Sequence, residues 1–169
     1  METPVTGAAR PAARLLIVSG PSGAGRRRVI ELARARSPDF WSPVPLTTRP
    51  RRLAEVDGRE YTFVGRSDFD HRLAAGELIE WAELGGHRYG VPRAPIEEAL
   101  RQGRPVLLST DLVGAGQIRR TMPGAVLVYL TPPHRSDSVP AEFDVTIVTD
   151  TVVRAADKLV SLLGSPAFL

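Results

Sequence analysis

The chain of 169 residues has no cysteine, which excludes disulfides, thiolate nucleophiles, zinc fingers and iron–sulfur clusters together. Lysine is almost missing. Lys158 is the single one among 22 basic residues, so chemistry that runs through a lysine amine has one candidate. The longest apolar runs, Leu15–Val18 and Ala125–Leu130, fall far short of the ~20 residues that cross a bilayer. The first residues hold Pro4 and Pro11 but no apolar stretch of the signal-peptide kind. The expectation is a cytoplasmic protein with a disordered tail over residues 1–13.

What is present reads as one globular domain. Hydrophobic residues make up 43% and charged residues 24%, enough for a buried core and too apolar for a disordered chain. The net charge is only +3, yet arginines cluster at Arg26, Arg27 and Arg28 and again at Arg49, Arg51 and Arg52. The sequence pI is about 9.9, but no basic stripe interleaved with aromatics accompanies it, so neither DNA nor RNA is expected as a partner.

Short β-branched runs alternate with helical stretches. Leu15–Ser19 reads as a strand, Gly20–Gly25 as a loop and Arg26–Arg36 as a helix. Further on, Val106–Thr110, Ala125–Leu130 and Val145–Thr149 read as strands, with helices over Val113–Thr121 and Thr151–Leu163. This alternation predicts an α/β fold with a parallel sheet flanked by helices. Between its parts, residues 40–92 read as an inserted small α+β lobe, with strands at Glu60–Val64 and Ile79–Leu84, a turn at Asp57-Gly58 and a helix from Ser67 to Ala75. Ser67 and Asp70 suggest a capping box at that helix's start. The domain is thus expected over 14–169, its core from 14–39 and 93–169 and its lobe from 40–92.

Gly20, Ser22, Gly23, Ala24 and Gly25 follow an apolar strand and open a helix, the setting in which backbone N–H groups cradle phosphate. The full phosphate-loop motif ends in lysine and then serine or threonine, for the outer phosphates and magnesium respectively. Here Arg26 and Arg27 stand in those places. Arg26 keeps a positive charge in a larger planar fork, and Arg27 offers no hydroxyl to a metal.

Four more segments complete a pattern: Thr47-Thr48-Arg49-Pro50-Arg51-Arg52 with Glu55 to Val64, Gly76 to Glu83, Arg88-Tyr89-Gly90, and Leu107 to Gly114. With the glycine loop, in this order and spacing, they resemble guanylate kinase over nearly the whole chain. The resemblance implies a P-loop NTPase-like fold and a monophosphate held by Arg49, Arg52, Tyr61 and Tyr89. It also implies a base contacted by Glu80, with Glu55 and Ser109 beside it, and catalytic places for Arg26, Asp111 and Arg135. Guanidinium forks and phenolic hydroxyls suit a dianionic phosphate.

The chain departs from that family in several places. Pro45 and Val91 stand where the family has hydroxyl residues near the base, and Ser109 stands where it usually has aspartate. The family's long lid with its arginines is reduced to the stretch from Pro132 to Phe143. Phosphoryl transfer depends on positioning and on neutralising charge. The sequence therefore reads first as a degenerate member that binds a purine nucleoside monophosphate such as GMP, or another phosphorylated ligand, with weak or absent transfer from ATP. Two alternatives stay open: an active divergent kinase, which would use ATP and Mg²⁺, and an interaction module that grips a phosphorylated protein. Hydrolysis of a bound nucleotide, with Glu55, Glu80 or Asp111 as general base, is a further possibility that no residue singles out.

Overall fold

The computed structural model describes residues 14–135 and 138–163. The expected N-terminal tail, residues 1–13, lies outside the described residues. A parallel four-stranded sheet forms the centre, from β1 (Leu15–Ser19), β6 (Val106–Ser109), β7 (Val126–Thr131) and β8 (Val145–Val148), in the order β6-β1-β7-β8. Strand alternation divides β1 between two cores. Leu16 and Val18 pack with Val29, Ile30 and Ala33 of α1 (Arg26–Arg36) and with Ala155, Ala156 and Leu159 of α5 (Val152–Ser161). Leu15 and Ile17 face the other way, onto Ile96 and Ala99 of α3 (Arg93–Arg101) and Ile118 of α4 (Leu112–Thr121). Both faces of the sheet are covered, which accounts for the near-continuous apolar runs of its strands.

The second sheet has the order β3-β2-β5-β4, from β2 (Leu46–Thr47), β3 (Thr62–Phe63), β4 (Leu78–Leu84) and β5 (His87–Pro92). Helix α2 (Arg66–Ala74) packs Phe69 against Leu46 and Leu78 beneath it. Ile79 and Val91 from this sheet join the α3/α4 side of the main core, so the two sheets share apolar packing.

Three elements escaped the sequence reading: β5, which turns back on the expected strand β4, the helix α3 and the short strand β2. Strands β4 and β5 form a hairpin in which Leu84 pairs with His87. Its turn is Gly85-Gly86, at φ 61° and 77°, the positive values that a tight two-residue hairpin turn demands. Helix α3 was hidden by Pro92 and Pro95; Pro92 is its N-cap and Pro95 lies in its first turn, where a missing N–H costs nothing. Strand β2 is only two residues long. One local expectation is corrected: Ser67 does not cap α2. That helix starts at Arg66 behind Gly65, with no side-chain cap, and Asp70 pairs instead with Arg88 of β5.

Residues 132–144 connect β7 to β8. Their far end is fastened: Asp144 accepts from the Leu127 N–H and pairs with Arg119, which also donates to the carbonyls of Glu142 and Ala125. The Phe143 ring meets Tyr129 edge-on at 5.1 Å. Residues 136–137 of this connection lie outside the described residues.

Candidate functional site

Strand β1 lies between β6 and β7, so the connections leave it toward opposite sides, and a crevice opens at the carboxyl ends of the strands. Three loops meet there: Gly20–Gly25 after β1, Ser109–Asp111 after β6 and the connection after β7 that carries Arg135.

The glycine loop is set by backbone geometry. Gly20 has φ 150°, and a Cβ there would lie 2.2 Å from the Leu130 carbonyl oxygen. Gly23 and Gly25 have φ 83° and 70°. Gly25 is the N-cap of α1, and no side chain caps this helix. The N–H groups of its first turn therefore remain available to an anion. Ser22 and Arg27 are exposed, whereas Ala24 is buried. Arg26 Nη1 donates to the Thr110 carbonyl at 2.6 Å, and Arg27 pairs with Glu31 along the helix. The place that the full phosphate-loop motif gives to a magnesium-binding hydroxyl thus carries a cation bound to a carboxylate. Among the described residues, no group of three His, Asp or Glu side chains is arranged to hold a metal. This donor set does not fit a protein-held magnesium, and we derive no step through one.

The arginine-rich segment is ordered around Glu55. Arg49 grips its carboxylate with both terminal nitrogens, at 2.8 and 2.5 Å, and the Arg52 N–H donates to it at 2.8 Å. The Arg49 fork and then the Arg52 N–H hold the Glu55 carboxyl well below the usual range, at about 2. The Arg49 guanidinium lies 5.0 Å from the centre of the Tyr61 ring, and Tyr61 meets Tyr89 edge-on at 5.9 Å. The Arg52 side chain is exposed, and its charge adds to the pull that lowers Glu55. Arg49, Tyr61 and Tyr89, three of the four residues that the resemblance assigns to the monophosphate, lie side by side in the lobe.

That wall continues into a cavity between the two sheets, lined by Pro45, Tyr61, Glu80, Trp81, Tyr89, Val91, Leu108, Ser109, Thr110, Asp111, Val113, Gly114 and Gln117. Glu80 sits at its floor. The Thr110 hydroxyl donates to Glu80 Oε2 at 2.5 Å. Burial first, and the nearby Asp111 charge after it, push the Glu80 carboxyl above its ordinary value, while the Thr110 hydrogen bond pulls the other way. Asp111 is the N-cap of α4 and accepts from the Gly114 N–H at 2.7 Å. Gly114 is required by closeness: a Cβ there would lie 1.9 Å from Glu80 Oε2 and 2.0 Å from Thr110 Oγ1. Gln117 is committed to the lobe, since its amide both accepts from and donates to the Trp81 backbone.

The structure brings Tyr61, Tyr89, Glu80, Ser109 and Asp111 into one cavity and sets Arg49 and Glu55 beside it. Arg26 borders an adjoining hollow with Arg34 and the same Ser109–Asp111 segment. Arg135 stands on the shortened connection at the same edge of the sheet, just beyond His134, which has a left-handed φ of 67°. Sequence reasoning missed Thr110 and Gln117. Thr110 read as the end of a strand, and only its position between Ser109 and Asp111 would have pointed to it.

The family model for guanylate kinase matches residues 12–139. The guanylate kinase of Thermobifida fusca is 41% identical over 181 aligned positions, covering 91% of this chain and 92% of that protein. The guanylate kinase of Streptomyces coelicolor is 48% identical over 131 positions, covering 78% of this chain and 66% of that one. A crystal structure of guanylate kinase from Anaplasma phagocytophilum superposes with a TM-score of 0.65 at 27% identity, over 90% of this chain and 85% of that one. The first alignment runs to more positions than this chain has residues, so the relative carries residues this chain lacks.

Proposed function

The chain belongs to the guanylate kinase family, and from that premise we propose that it binds GMP in the cavity between its two sheets and phosphorylates it with ATP. Relatives that share about two fifths of their residues with it are named guanylate kinases, which favours activity over a lost function. The observation that carries the reading is the continuous wall from the Arg49–Glu55 pair, past Tyr61 and Tyr89, to Glu80. It offers cations at one end for a phosphate dianion and a carboxylate at the other for the donor edge of a purine. Arg49, Arg52, Tyr61 and Tyr89 hold the monophosphate, with Glu55 ordering Arg49; Glu80, with Ser109 nearby, faces the nucleoside. The glycine loop receives the ATP phosphates on the N–H groups of the first turn of α1. Transfer breaks the bond from the γ-phosphorus to the ADP oxygen and forms one to a GMP phosphate oxygen, and Arg26 and Arg135 supply positive charge as it develops.

Turnover is slower than a lysine-bearing site with a full lid would give, because Arg26 stands for the lysine and the connection after β7 is short. A second reading, GMP binding without transfer, is favoured by one observation: Arg26 is engaged by the Thr110 carbonyl and must leave it to reach a phosphate. Incubation with ATP and GMP, followed by phosphorus NMR, separates the two. GDP and ADP appearing in equal amounts supports the kinase; arginine-dependent GMP binding with no GDP supports the second reading. Arg49→Ala and Arg52→Ala each weaken GMP binding by about 1.5–3 kcal/mol, since each removes a charge-assisted contact. Unchanged affinity in both variants sinks the monophosphate assignment.

A further inference from the structure

Thr110 makes three contacts at the junction of the two halves of the crevice. Its N–H donates to the Val18 carbonyl at 3.1 Å, which fixes it to the central strand beside the glycine loop. Its carbonyl accepts from Arg26 at 2.6 Å, and its hydroxyl proton goes to Glu80 Oε2 at 2.5 Å. The backbone of Gly114 closes over the same carboxylate oxygen, with no room for a Cβ. Glu80 is therefore clamped through one oxygen between a strand end and a helix start, where it lines the cavity. A carboxylate on a strand of the lobe, with several rotatable bonds, would not hold one direction without such a clamp.

We propose that Thr110 is the positioning residue that holds the Glu80 carboxylate, through Oε2, in the orientation that accepts the donor edge of a purine base. This rests on the GMP-binding reading above and adds to it the group that makes Glu80 competent. The charge balance around Glu80 explains why the clamp matters. Asp111 from the start of α4 opposes a second negative charge, Arg26 from α1 reaches only the Thr110 carbonyl, and the phenols of Tyr61 and Tyr89 line the same cavity. No cation faces the carboxylate directly among the described residues, and the Thr110 hydroxyl is the contact that works against the upward push of burial.

The test is Thr110→Val, which keeps the β-branched shape and removes the hydroxyl, beside Thr110→Ser, which restores it. Two readouts are taken: GMP affinity from pH 5 to 9 by calorimetry, and the Glu80 carboxyl titration by carbon NMR of the ligand-free protein, assigned with Glu80→Gln. Thr110→Val should bind GMP ~10–150-fold more weakly at neutral pH, the loss of one hydrogen bond to a charged group. Its Glu80 titration, and the acidic limb of its binding profile, should both move to higher pH. Thr110→Ser should return both to near the parent. A Thr110→Val protein whose Glu80 titrates as in the parent overturns the proposal, as does a serine variant that behaves like valine. If GMP binds the parent at no pH, the base-reading role falls together with the function proposed above. If GMP binds with the expected dependence on Arg49 but Thr110→Val changes neither profile, only this inference falls.

Discussion

Glu80 lines the cavity and Glu55 stands beside it, and the two carboxylates are pushed in opposite directions. Arg49 and the Arg52 N–H hold Glu55 at about 2, far below the ordinary carboxylate range. The unfolded chain binds a proton more readily at this residue, so its contribution to stability is fully present above the ordinary range and is lost as the pH falls toward 2. Denaturation midpoints of Glu55→Gln and the parent should differ at pH 7 and converge between about pH 4 and 2. Burial raises Glu80 instead, so the fold favours its protonated form and loses stability as the pH climbs past the ordinary range. Glu80→Gln should therefore gain stability at pH 7, match the parent below pH 4, and lose GMP binding. A glutamine variant that is less stable at pH 7 would contradict the burial argument. Thr110 shows why single-residue chemistry was only partly legible. Glu55, Glu80, Arg49 and Tyr89 stood out by type and spacing, but Thr110 acts through a hydroxyl that only a folded neighbour, thirty positions away, turns into a clamp.

The glycine loop and the start of α4 show what an element must satisfy to form the site. Gly20→Ala would drive a Cβ into the Leu130 carbonyl and should cost more than ~3 kcal/mol, lowering Tm by roughly 6–12 °C in a chain of this size. Gly114→Ala meets side-chain atoms of Glu80 and Thr110 rather than backbone. Those can move, so its main effect should be a loss of GMP affinity, read by calorimetry, with a smaller fall in Tm. Arg26→Lys with Arg27→Ser returns the loop to an ammonium and a hydroxyl. ATP affinity should rise, and no gain would mean that the loop backbone does not cradle phosphate. The elements carrying these residues were readable because each strand of the main sheet is a short apolar run closed by a glycine, a helix cap or a proline pair. The hairpin β4–β5 and helix α3 were not read. Gly85-Gly86 was a usable turn signal left unused, and the two prolines that open α3 mimic a loop unless their place in a first turn is considered.

At the scale of the molecule, the main sheet supplies three loops at one edge and the lobe supplies the wall that faces them. Ile79 and Val91 of the lobe pack into the same core as Ile17 and Leu127 of the sheet, so the cavity is anchored on both sides. The far end of the connection after β7 is tied down by Arg119 and Asp144. The α/β class and the order of motifs were visible in the sequence, since order and spacing survive folding. The way Ser109–Asp111 borders both the lobe cavity and the hollow beside Arg26 was not, because it depends on β6 lying next to β1.

The most direct test is to mix the protein with ATP and GMP and follow GDP formation in the parent and in Arg49→Ala. Formation of GDP by the parent, lost or greatly reduced in the variant, is the result expected of a kinase whose monophosphate is held by that arginine. No GDP from the parent at any nucleotide concentration, or equal GDP from both proteins, would contradict it.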